Sequence, residues 1–330
     1  SILEGTMIAE IFKRPGRLVI NTFSLIAAFT MICTFSIPAS SFELIIGTGP
    51  GGSFSQHSGK LLCRIFAKQD KEITCSLSES SDPIDNLTNV QGGSLDLALV
   101  DSLLLEESTS GKGAFQYLDI KYDRIRIVTP LYQVPLTLIV RRDSDISTID
   151  QLPGKRINTG SFGSPEKHLF ELFMQTQGWT EGLFPVFAEL SSSLSQDKLA
   201  FRHGNVQVLV HKGVHPDNDI KQLLEDTGSQ LIGFSNDGIA DLLNSYPSLS
   251  RQDLKKSTYP SLADKLSTFG TTMTLITSAD MDAETIQSII TALEQNKKSL
   301  QTMHPALSSF DIDKRSQWFG SIKVHQAILE

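Results

Sequence analysis

The chain has 330 residues, 29 basic against 37 acidic side chains for a formal charge of −8, and a composition 40% hydrophobic and 20% charged. That is ordinary globular composition, long enough for two lobes of roughly 100–150 residues each. The acidic balance speaks against a nucleic-acid partner, whose phosphates want a basic face, and gives no attraction to an anionic membrane.

Six residues, Ser1 to Thr6, precede Met7 and stand outside the fold argument. Lys13, Arg14 and Arg17 then precede an apolar run from Leu25 to Phe35, and Ile37-Pro38-Ala39-Ser40-Ser41 supplies a helix break and small residues. This tripartite order predicts a secretory signal within residues 1–41, cleaved near Ala39–Ser41, and a periplasmic protein. The alternative is a retained anchor starting at Leu18, which would carry Asn21, Thr22 and Ser24 into the bilayer. Cleavage would remove Cys33 and leave a soluble chain of formal charge −9 with two cysteines, Cys63 and Cys75. These are either one disulfide, which an oxidising compartment permits, or two buried thiols.

Beyond the signal, strands and helices alternate. Phe42 to Ile46 reads as a strand, Gly47 to Gly52 as a glycine loop, and Ser53 to Phe66 as a helix with Leu61, Leu62, Ile65 and Phe66 on one side. Ile73 to Leu77 is a second strand, and Asp82 to Val90 a short helix ending at Gly92-Gly93. Leu95 to Val100 is an apolar strand of the kind covered on both faces. Ile125 to Arg141 reads as two strands around Val134-Pro135. The alternation then restarts with strands at Arg156 to Thr159, Phe184 to Leu190 and Val206 to Val210. Helices at Pro165 to Gln177, Ser193 to Arg202 and Asp217 to Glu225 follow them in turn. A strand at Met273 to Thr277 and helices from Ala283 to Met303 come last. Repeated βαβ order means mostly parallel sheets flanked by helices. The fold class is therefore α/β in two lobes with a cleft between them: 42–140 plus 268–330 as lobe I, and 141–267 as lobe II.

Ligands of open α/β sheets bind beyond the carboxyl ends of the strands, where both Gly/Ser loops would stand. Gly47-Thr48-Gly49-Pro50-Gly51-Gly52 matches G-x-G-x-x-G between a strand and a helix, the pattern of a dinucleotide site. Against that stand the export signal, the donor lost at Pro50, and Glu79, which comes too late for the ribose-binding acid. What survives is close backbone approach and free amides at a helix start, which favour an anion. Ser161-Phe162-Gly163-Ser164-Pro165 repeats this logic, with Ser164 as cap and Pro165 at the first helical position. Capping alone also explains either loop, since Ser53 with Gln56 has capping-box spacing.

Candidate ligand contacts are Thr48, Gly49, Gly52, Ser53 and Phe54 in the first loop and Thr159, Ser161, Gly163 and Ser164 in the second. Asp101, Tyr132 and His211 join them. Asp101 with Ser102 reads equally as a helix cap, Tyr132 as packing between the lobes, and His211, Lys212 and His215 as a solvated loop. No metal spacing, nucleophile elbow or carboxylate pair marks an enzyme, and neither cofactor nor metal is expected.

In their order, these segments resemble the TAXI-type solute-binding proteins that serve TRAP transporters. The likeness runs from Phe42 to His304 through IIGTGPGGSF, ESSDPIDNL, GSLDLALVDS, PLYQVPLTLIVRRDSDISTIDQLPGKRINTGSFGS, VQVLVHKGVHP, STYP and TTMTLITSADMD. It implies a type II periplasmic-binding-protein fold, a closing cleft, and delivery of a small, usually carboxylated solute to TRAP-type permease subunits. A monomer is expected. Phe54-Ser55 stands where the family tends to have tyrosines, and Phe162-Gly163-Ser164 where it commonly has Ser-Gly-Thr. Glu166, close behind, would repel a second negative group if it points inward. The rival functions are a ligand sensor for a signalling partner and a dinucleotide-dependent oxidoreductase.

Overall fold

The structure, a computed structural model, describes residues 42–191, 196–235, 237–316 and 322–329. The chain divides into Ser1–Ser40 and Ser41–Glu330. The signal-peptide expectation falls outside the described residues, as do residues 193–195 of the helix expected over 193–202. Among the described residues no helix is long and apolar enough to cross a membrane.

The first part of the chain gives β1 (Phe42–Thr48), α1 (Phe54–Gln69), β2 (Ile73–Glu79), α2 (Pro83–Gly92), β3 (Leu97–Asp101), α3 (Ser102–Ser110) and β4 (Ile125–Val140). The middle gives β5 (Arg156–Asn158), α4 (Pro165–Gln177), β6 (Val186–Ala188), α5 (Gln196–Arg202), β7 (Val208–Lys212), α6 (Asn218–Thr227), β8 (Gln230–Ile232), α7 (Gly238–Ser245) and β9 (Ser250–Leu254). The last part gives β10 (Leu266–Ser278), α8 (Ala283–Gln295), α9 (Lys297–Met303) and β11 (Lys323–Val324).

The strands follow the order β2-β1-β3-β10-β4-β7-β5-β6, with β8 and β11 also on β4 and β9 on β10. β1 is parallel to β2 and β3, and β5 is parallel to β6 and β7. Between these parallel groups lie β4 and β10, antiparallel to each other along most of their length. The result is two α/β lobes sharing two long strands. Apolar side chains bury on both faces of each lobe. In the first, Leu44, Ile46, Leu62, Phe66, Leu99 and Ile289 pack on one side of the sheet and Leu87, Val100, Ile127 and Ile276 on the other. In the second, Leu138, Ile157, Phe170, Phe173 and Val208 form one layer and Ile139, Phe201, Leu209 and Leu223 the opposite one. Cys63 on α1 and Cys75 on β2 are joined by a disulfide.

Three expectations are corrected. The stretch expected as two strands holds one, Ile125–Val140, despite Pro130 and Pro135. A proline in a central strand removes a ladder donor. Here Pro135 faces Gly270, whose absent side chain lets the strands approach: a Cβ there would stand 2.6 Å from the Pro135 Cα. Register shifts leave Leu131 and Val128 as bulged positions, which bends the strand instead of ending it. Second, β10 starts at Leu266, well before Met273, because its polar first half pairs with β9. Third, β7 runs on to Lys212, so His211 and Lys212 belong to a strand and not to a solvated loop.

Candidate functional site

β1 and β3 end at Thr48 and Asp101, and β5 and β7 end at Asn158 and Lys212. These carboxyl ends approach β4 and β10 from opposite lobes. Directly paired residues share a face of a sheet, and so do residues two apart. Met273 pairs with both Asp101 and Tyr132, Thr271 pairs with Val134, and Lys212 pairs with Leu136. Asp101, Tyr132, Thr271 and Lys212 therefore converge on one face. The contacts agree: the Lys212 Nζ donates to the Asp101 Oδ2 at 2.6 Å, and the Thr271 hydroxyl donates to the same oxygen. Asp101 is at once the cap expected from sequence, accepting from the Leu103 N–H at 3.0 Å, and the partner of a buried cation from the other lobe. A second tie of this kind joins α3 to α4, where the His168 Nε2 stands 2.6 Å from the buried Glu107 carboxylate. That contact raises the His168 pKa.

The first loop is internally bonded. Ser53 caps α1, accepting from the Gln56 N–H at 3.1 Å. The Gln56 side chain accepts from the Gly52 N–H, one residue before the position a capping box would use. The Gly49 N–H donates to the Ser55 hydroxyl and the Ser53 N–H to the Pro50 carbonyl. Thr48 is fully buried with its hydroxyl bonded to the Gly49 carbonyl, so its side chain is not offered to a ligand. Glu79 leans over the loop: a Cβ on Gly51 would lie 3.1 Å from its carboxylate, which also bonds the Gln56 amide.

The second loop is occupied by its own acid. Ser164 caps α4 and Pro165 follows it, as the sequence indicates. Glu166 then folds back onto the loop, so that a Cβ on Gly160 would stand 2.6 Å from its Cγ. Gly160 has φ +92°, a conformation that glycine alone adopts freely. Burial raises the Glu166 pKa, opposed by bonds from its own N–H and the Ser164 hydroxyl and by the Lys212 charge, and helped by Asp197. Ser161 accepts from the Ser164 N–H at 2.9 Å, and Gly163 is exposed at φ +74° with open space beyond it. Thr159 is fully buried, bonding the Ala188 carbonyl.

Phe54 packs edge-on against Tyr132 at 4.9 Å and against His304 at 4.7 Å between ring centres. The Tyr132 hydroxyl is buried beside Ser58 and feels the Asp101 charge, but makes no well-formed hydrogen bond, and its pKa is raised by burial. His211 points to the opposite face from Lys212. Burial pushes its pKa down to about 4, so it is neutral and cannot serve as a cation for an anion. On that face His215 accepts through Nδ1 from the Tyr259 hydroxyl at 2.6 Å, because that hydroxyl already accepts from the Asp217 N–H. The Nε2 proton then faces the Thr137 hydroxyl at 3.3 Å.

Of the residues singled out from sequence, Asp101 and Tyr132 share a face with Thr271 and Lys212 and Phe54 packs on Tyr132, Ser53 and Ser164 are helix caps, and Thr48, Thr159 and His211 are turned away from that face. Sequence reasoning treated Lys212 as a loop residue and did not single out Thr271, Glu107 or His168. The available signal was Lys212 itself, a charged residue directly after an apolar strand.

Two parallel-stranded lobes joined by two long strands define the type II periplasmic-binding-protein fold. The chain belongs to the NMT1-like family, whose model matches residues 46–327. Among solved structures it is similar to XAC2383 from Xanthomonas citri bound to ATP, at 15% identity and a TM-score of 0.50, covering 85% of this chain and 91% of that one. It is also similar to the periplasmic aliphatic sulphonate binding protein SsuA from Escherichia coli, at 17% identity and a TM-score of 0.46, covering 78% and 75%. A third is the GluR0 ligand-binding core from Nostoc punctiforme in complex with L-glutamate, at 16% identity and a TM-score of 0.44, covering 78% and 93%.

Proposed function

We propose that the protein is an exported receptor, cleaved near Ala39–Ser41, that closes two lobes around a small solute and hands it to a membrane transporter. The lobes are 42–140 with 268–330, and 141–267. The observation that carries this reading is the meeting of strand ends from opposite lobes, where Lys212 and Thr271 both bond Asp101, with Phe54 at the start of α1 packed on Tyr132 of the same face. A carboxylate on the solute is held by Lys212, which exchanges it for Asp101, while Phe54 and Tyr132 shape the pocket and Ser53, Ser161, Gly163 and Ser164 form its rim. The protein carries out no covalent chemistry. A TRAP-type permease is the partner we assign, on the order of the TAXI-like segments from Phe42 to His304.

Native mass spectrometry of protein released gently from its own periplasm tests the reading. A small molecule of one mass is expected on the wild type and absent from Lys212→Met. Reconstitution with TRAP-type and ABC-type permeases then decides the partner. A protein that carries no solute, and supports uptake through neither permease, removes the receptor reading.

A further inference from the structure

The helix α3 follows β3 of the first lobe, yet it meets the second lobe along its length. Leu103 is buried in the apolar core of the second lobe, with Leu138, Ile157, Phe170 and Val208. The Ser248 peptide, between α7 and β9, is gripped from both ends: the Ser102 hydroxyl donates to its carbonyl at 2.8 Å, and its N–H donates to the Glu106 carboxylate at 2.9 Å. The Ser102 hydroxyl in turn accepts from the Thr272 N–H on β10 at 2.9 Å, which fixes its direction. Glu106 and Glu107 are both buried. A carboxylate out of water needs donors, and each of these is met by one from the other lobe: Ser248 for Glu106, and the His168 Nε2 on α4, at 2.6 Å, for Glu107.

His168 is the part of this contact that can change. Its side chain is 36% exposed, so water reaches the ring, whereas that of Glu107 is 3% exposed. Asp101 at the end of β3 and Glu171 one turn along α4 also act on His168, and Asp101 is itself engaged by Lys212 of β7. Tyr246 stands near Glu106 and Glu107, with the Lys112 ammonium 4.8 Å over its ring. Lys167 turns away to Glu171, Glu181 and Glu189. The Glu107 carboxylate raises the His168 pKa above the ordinary 6.5, against the effect of burial. The ion pair is therefore complete below the ordinary value and is lost as pH climbs through the raised one. A neutral imidazole then leaves Glu107 buried without its counter-charge.

We propose that α3 is a clasp that fastens the two lobes to each other without a solute, and that it loosens when His168 gives up its proton. The solute exchanges with Asp101 at Lys212, while Ser102, Leu103, Glu106 and Glu107 act on the same closure from separate positions. This rests on the receptor reading only in taking the lobes to move against each other.

Distances between spin labels on Ser110→Cys, at the end of α3, and Gln175→Cys, in the last turn of α4, read the clasp directly, since both positions are exposed. The background carries Cys33→Ser, and Cys63 and Cys75 are joined and take no label. Solute is removed beforehand, with native mass spectrometry as the check. One short distance is expected to dominate at about pH 5.5, and the share of longer distances to rise about threefold or more by about pH 9, the scale of a partly exposed ion pair. His168→Gln keeps an amide donor but no titrating group, so the pH response should vanish. Glu107→Gln should show the longer distances at both pH values, with circular dichroism confirming that each variant folds. A wild-type distribution that does not change with pH overturns the proposal. So does a response that survives in His168→Gln, or a Glu107→Gln distribution like that of the wild type at low pH. The receptor reading is judged separately, by the co-purified solute.

Discussion

A carboxylate in the first turn of a helix is stabilised by the free amides there, and one taken out of water is destabilised. Glu166 experiences both, and burial is the larger effect, so its folded-state pKa lies above the ordinary value of 4.5. A group with a raised acidic pKa binds its proton more tightly when the protein is folded. The protein therefore loses stability as pH climbs from the ordinary value through the raised one. Glu166→Gln removes this penalty. It is expected to raise the thermal midpoint by a few degrees at pH 7–8 and to leave it unchanged well below pH 4.5, as read by thermal scans across that range. A variant less stable than wild type at pH 8 would mean that the bonds from Ser164 and the helix start outweigh burial. Ser53, Ser164 and Asp101 were readable as caps because capping needs only neighbours in sequence. The inward fold of Glu166 was not, because it depends on how closely its side chain approaches Gly160, which sequence spacing does not encode.

At the scale of elements, β3 and β7 are held across the junction by Asp101 and Lys212, whose side chains are 16% and 8% exposed. Removing one member of a buried pair leaves the other charge without a partner and costs about 3–5 kcal/mol. Asp101→Ala also removes the cap of α3. We expect it to cost about that much in chemical denaturation, and Asp101→Ala combined with Lys212→Met to recover part of the loss. A single-variant cost under about 0.5 kcal/mol would mean that water screens the pair as it does a surface pair. The helix α4 was legible to the residue, from Ser164-Pro165 at one end to Gly178 at the other. By contrast, β4 was split at Val134-Pro135, since the glycine that accommodates Pro135 lies 135 residues further along the chain. The strands β8 and β9 and the helix α7 are too short to stand out, and α3 carries little apolar periodicity, so their places are set by neighbours distant in sequence.

For the whole molecule, the two-lobed architecture was legible because βαβ order and Gly/Ser loops recur in both halves of the chain. The shared strands were not, because β4 and β10 become continuous only when paired with each other. In the proposed reading the lobes close around the solute, and a solute that touches both lobes shifts the population toward the closed form by its differential affinity for it. Small-angle X-ray scattering of the protein, with and without a saturating concentration of the solute that co-purifies with it, measures this directly. The radius of gyration is expected to fall on binding, and the fall is expected to disappear in Lys212→Met. A bound solute that leaves the radius of gyration of the wild-type protein unchanged would contradict capture between closing lobes.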